Sequence, residues 1–114
     1  MGVIQNLTNQ VTLARRVRLC RSFWSRLKGL LGTSELARDE ACWIDPCNSV
    51  HTIGMKYPID VYFLNKENEV IDIVQDLRPN RILPINFRAR TVIEFKYGPK
   101  RSCKVGDKLS MEVV

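Results

Sequence analysis

From Pro58 onward the chain alternates strictly. Ile59, Val61 and Phe63 interleave with Asp60, Tyr62 and Leu64, the period of two of a strand with one face in the core and Asp60 on the other. Asn65-Lys66-Glu67-Asn68 breaks the pattern as a turn, and Glu69 to Asp76 is again strand-rich, so residues 58 to 76 predict a β-hairpin. Further strands are expected around Thr12 to Cys20, Glu40 to Asp45 and Thr91 to Tyr97, with a last one after the Val105-Gly106-Asp107 turn. One segment has a different period. After Ser22, a plausible N-cap, Phe23, Trp24, Leu27, Leu30 and Leu31 fall on one face of a helix that Gly32 ends. The pattern predicts a small α+β domain, a β-rich barrel or sandwich with one short helix packed on it. Residues 1–10 read as a loose end, and 11–114 as a single compact domain.

With 114 residues, 45% of them hydrophobic, the chain is long enough to bury a core without disulfides or metals. No apolar run reaches the roughly 18 to 20 residues of a membrane-spanning helix, and no basic segment precedes an apolar signal core, so a cytoplasmic location is the expectation. Cys20, Cys42, Cys47 and Cys103 have no tandem short spacing and read as thiols; Cys20 and Cys42, within apolar patterns, read as small hydrophobes. Trp24 and Trp43, flanked by apolar residues, read as core anchors. The net charge of +6 is unevenly spread: residues 1–34 carry six bases and no acid, 35–77 three bases and nine acids, and 78–104 eight bases and one acid. If the two basic segments meet, they form a patch for an anion, an acidic protein surface or nucleic acid. No phosphate-cradling glycine loop accompanies them, which favours a solvated face.

The chemistry concentrates in residues 45–60, which hold the only histidine, one of the cysteines, two small hydroxyl residues, a methionine and two prolines. That mixture suits a shaped, irregular loop. Cys47, His51 and Asp60 are the candidate catalytic residues, a thiol with a base four positions away and a carboxylate to orient the ring. Cys42, Cys47 and His51, with Asp60 as a fourth, are alternative zinc ligands, although their spacing matches no known finger. Each has a plainer role: a loop-bracing carboxylate for Asp60, a hydrogen-bonded ring for His51 and core filler for Met55.

Arg26 to Gly32, the run Pro46-Cys47-Asn48-Ser49-Val50-His51-Thr52-Ile53-Gly54-Met55-Lys56-Tyr57-Pro58-Ile59-Asp60-Val61-Tyr62-Phe63-Leu64, then Leu77-Arg78-Pro79 and Val105-Gly106-Asp107 resemble a widespread prokaryotic family catalogued as domain of unknown function one-nine-two. The resemblance runs from about Leu19 to Leu109. It implies a compact β-rich fold of its own, with no established activity, cofactor or substrate. A branch of the family replaces the Cys-x-Ser-x-His portion, so the resemblance implies a common pocket or fold lock at the Met and Pro-Ile-Asp positions rather than an indispensable thiol and imidazole.

The functional expectation is a small non-enzymatic domain that binds a small molecule, an anion or a protein without a cofactor. Ser49, His51, Thr52, Met55 and Asp60 would form a polar-rimmed pocket beside Arg26 and Lys28. The alternatives are a Cys47/His51 hydrolase, a metal-binding protein and a nucleic-acid-binding module that uses the basic segments.

Overall fold

The computed structural model describes residues 2–20 and 36–113. They form seven strands: β1 (Gly2–Asn6), β2 (Val11–Cys20), β3 (Glu40–Ile44), β4 (Ile59–Leu64), β5 (Val70–Leu77), β6 (Thr91–Lys96) and β7 (Leu109–Val113). All belong to one sheet of order β5-β4-β6-β3-β2-β1-β7. β2 and β3 run parallel and every other neighbouring pair is antiparallel. The expected α+β class is therefore wrong. Among the described residues the protein is all-β with no helix, a mixed seven-stranded sheet. The helix expected from Ser22 to Gly32 lies outside the described residues.

β4 and β5 pair as the hairpin the alternation predicts, with Phe63 opposite Asp72 and Val61 opposite Val74. Gly2–Asn6, expected as part of a loose end, form β1 between β2 and β7. Its polar Asn6 is fully buried, and the side-chain amide donates to Asp107 Oδ2 at 2.8 Å and to the Ser102 carbonyl at 3.0 Å. A buried amide is tolerated when it is satisfied in this way.

The sheet curls until its two edge strands touch at one end. The Val70 N–H donates to the Asp107 carbonyl, the Gly106 N–H to the Val70 carbonyl and the Leu109 N–H to the Asn68 carbonyl, at 2.8 to 2.9 Å. Inside the curl lies a core to which every strand contributes, through residues such as Ile4, Val17, Trp43, Tyr62, Val70, Phe95 and Leu109. Tyr62 and Phe95 meet edge to face, with ring centroids 5.0 Å apart.

A second apolar cluster covers the outer face of β3, β6 and β4. Cys42, Ile44, Ile59, Val61, Phe63 and Val92 there pack with Val50, Met55 and Tyr57 from the loop between β3 and β4. All six positions of β4 are buried in consequence, which corrects the reading of that strand as covered on one face only. Alternation predicts one wet face only where nothing lies on it.

Candidate functional site

Because side chains alternate across a strand, Asp60 lies on the interior face of β4 with Tyr62 and Leu64, whereas the 45–58 loop packs on the face of Ile59, Val61 and Phe63. The residues expected to form one pocket are thus divided. Asp60 is 2% exposed and accepts a hydrogen bond from the Asp76 N–H at 2.9 Å. Burial holds its carboxyl above the ordinary range, opposed by the N–H groups of Asp76 and Gly98 and by the guanidiniums of Arg101 and Arg38. Asp60 does brace the chain, but it braces β5 and the segment after β6 rather than the 45–58 loop.

On the other face, Cys47 is half-buried and its Sγ donates to the Ser49 carbonyl at 3.1 Å, while Ser49 itself is exposed. His51 is half-buried and forms a bridge with Ile82. Met55 is buried in the outer cluster. Thr52, fully buried, donates its hydroxyl to the Arg78 carbonyl at 2.6 Å and accepts from the Arg81 N–H at 2.9 Å. Cys42 faces Cys20, and that thiol contact together with burial pushes its titration far upward. Among the described residues no three His, Cys, Asp or Glu side chains gather to hold a metal ion. Arg26 and Lys28 lie outside the described residues.

The loop grips the segment between β5 and β6. Residues 47–54 run against 78–90, and the bonds succeed one another: Thr52 N–H to Arg81 carbonyl, Asn80 N–H to Thr52 carbonyl, Leu83 N–H to Val50 carbonyl, Asn86 N–H to Asn48 carbonyl and Cys47 N–H to Arg90 carbonyl, at 2.8 to 2.9 Å. Gly54, at φ 86°, donates its N–H to Asn80 Oδ1 at 3.2 Å, a conformation suited to glycine. Ion pairs of 3.1 Å, Arg78 with Asp76 and Arg90 with Asp45, hold the two ends. The irregular loop is thus a scaffold for a second one.

That second segment, the 78–90 arm, carries the most conspicuous feature of the surface. Leu83 turns in against the outer cluster, while Ile82 is 71% exposed, Ile85 52% and Phe87 88%. Between the arm and the outer face of the β4–β5 hairpin lies a groove of about 420 Å³, walled by Phe63, Val74, Leu83, Pro84, Ile85 and Phe87, with Asp72 and Arg88 among its lining. Sequence reasoning passed over it. The available signal was three large apolar residues, without helical or strand period, set among arginines and prolines.

Several bases of these segments are engaged among the described residues. Arg16, Arg78 and Arg90 are in ion pairs, and Arg101 is 8% exposed, stacked 4.3 Å over Phe95 and donating to the carbonyls of Arg38 and Lys96.

The family profile DUF192, described as an uncharacterized ACR, matches residues 4–111, nearly the whole chain. This chain is a DUF192 protein. Among solved structures, a protein of unknown function from Novosphingobium aromaticivorans DSM 12444 is 21% identical with a TM-score of 0.77, over 96% of this chain and 82% of that one. A protein from Sinorhizobium meliloti 1021, whose assignment as a transcription regulator is provisional, is 18% identical with a TM-score of 0.74, over 96% of this chain and 91% of that one. At such identities the likeness of these structures to the DUF192 protein is one of fold. No protein with a curated description matches the sequence.

Proposed function

We propose that this DUF192 protein is a binding domain whose contact surface is the 78–90 arm with the groove beneath it. The observation that carries the reading is Phe87. A ring left 88% in water, on an arm fixed by a ladder of backbone bonds, makes an exposed apolar patch with Ile85 at the groove they both wall, and Ile82 is exposed on the same arm. Such patches mark interaction sites more often than scattered exposed residues do. Rigidity supports the reading further, because a pre-ordered surface loses little entropy when a partner arrives. The 45–58 loop contributes as the mount, chiefly through Thr52, and the groove's apolar walls and its Arg88 suit a ligand with an apolar body and an anionic end.

Titration with octanoate, followed by ¹H–¹⁵N NMR, tests this. Shifts confined to Asp72, Val74 and residues 83–88 are the expected result. Shifts scattered over the basic surface, or none in the groove, would remove the reading.

A further inference from the structure

Phe87 does not line the floor of a cleft; it stands out from the turn at the end of the arm. A protein partner that used it as an anchor would have to supply all the surrounding surface, whereas hydrocarbon surrounds an inserted side chain on every side. Ile53 is 50% exposed on the turn at the other end of the ladder, which the Gly54 bond to Asn80 holds against the start of the arm, so four large apolar side chains are exposed along the ladder between its two end turns. The arm's own charge is of one sign, while Asp72 of β5 shares the groove beside it. Residues 78–90 contain four arginines and no acid; Arg78 and Arg90 are paired to Asp76 and Asp45, while Arg81 and Arg88 are exposed and in no ion pair among the described residues. Lys56 is exposed just beyond the Ile53 turn.

Apolar side chains along an exposed face, with cations toward both ends, match the boundary between acyl chains and anionic headgroups, where insertion and charge attraction act together. Resting on the reading of the arm as a contact surface, we propose that this exposed face of the ladder docks on the surface of an anionic lipid bilayer, with Phe87, Ile85, Ile82 and Ile53 entering the headgroup boundary and Arg81 and Arg88 facing lipid phosphates. The docking is peripheral: no helix among the described residues is long and apolar enough to cross a membrane. A few side chains and a few charges give reversible binding that salt weakens.

Flotation of the full chain with vesicles tests the proposal, using equal parts phosphatidylglycerol and phosphatidylcholine, or phosphatidylcholine alone, at about 50 mM salt. The expected result is retention on the anionic vesicles only, reduced at least about ten-fold by the pair Ile85→Ser and Phe87→Ser and by the pair Arg81→Glu and Arg88→Glu. Arg15→Glu with Arg18→Glu, exposed on β2, should cost less than either pair. Equal retention of wild type and the arm variants would overturn the proposal, since the net charge would then bind through another face. Equal retention on neutral vesicles would overturn it as well. No retention, with the octanoate response at residues 83–88 intact, would overturn the bilayer as occupant, leave the groove as a site for a soluble ligand or peptide, and so separate the two readings.

Discussion

Thr52 shows how one side chain fixes the geometry of the surface. Its hydroxyl bonds the Arg78 carbonyl and the Arg81 N–H while its own backbone bonds residues 80 and 81, so one buried threonine closes the base of the arm. Valine has the same shape but leaves both partners unsatisfied. Thr52→Val should cost about 1–3 kcal/mol in urea unfolding and speed amide exchange at Arg81 and Leu83. Two buried carboxylates give pH signatures of opposite sign. Asp107 is held below the ordinary carboxyl range by the Asn6 amide and the Lys104 N–H against the opposing effect of burial, so the stability it contributes is present above about pH 4 and is lost as pH falls through its lower folded value. Asp60 is raised by burial, so its contribution is fully present below about pH 4 and is lost as pH rises through its higher folded value. Urea unfolding from acid to neutral pH should show a flattened acid limb for Asp107→Asn and, for Asp60→Asn, a flattened decline above pH 4. The thiols differ by access. Cys20, Cys42 and Cys103 are buried, with Cys103 pushed up to about 12, and Cys47 is half-buried. Iodoacetamide under native conditions, read by mass spectrometry, should therefore label Cys47 first.

At the scale of elements, the hairpin and the central strands were legible because their apolar alternation is uninterrupted, and the Gly-Asp turn before β7 carried its own signal. β1 was not, because Gln5 and Asn6 make it look like a polar end, and only the distant Asp107 and Ser102 explain why Asn6 is inside. The placement of the candidate site was partly legible. Composition marked the 45–60 loop as shaped, but a strand start such as Ile59-Asp60 reverses the side-chain direction at each residue, and one position put Asp60 on the far face from His51. The arm was the least legible element, since no period distinguishes an exposed apolar connector from a buried one. Core and arm should separate under mutation. Phe63→Ala, in the outer cluster and the groove wall, should cost about 3–5 kcal/mol, whereas Phe87→Ser, a fully solvated change, should stay within about 0.5 kcal/mol in the same unfolding assay.

For the whole molecule, the curl of the sheet unites a core drawn from seven strands, and its seam is the short contact between residues 68–70 and 106–109. Gly106 turns that seam at φ 99°, and a side chain added there would meet nothing within 4 Å, so only the backbone conformation opposes substitution. Gly106→Val should lower stability by about 1–3 kcal/mol, seen as a lower Tm, and loosen the amides of Val70 and Leu109 first. The seam holds the curl, the outer cluster seats the 45–58 loop, and the loop holds the arm out into solvent. The measurement that tests this arrangement most directly is paramagnetic broadening of the protein's amide signals by spin-labelled lipid in anionic bilayers. The account predicts broadening centred on Ile53, Ile82, Ile85 and Phe87, fading toward β1 and β7. Broadening centred on Arg15 to Arg18 or Lys100 to Lys104 instead, or none at the arm, would contradict it.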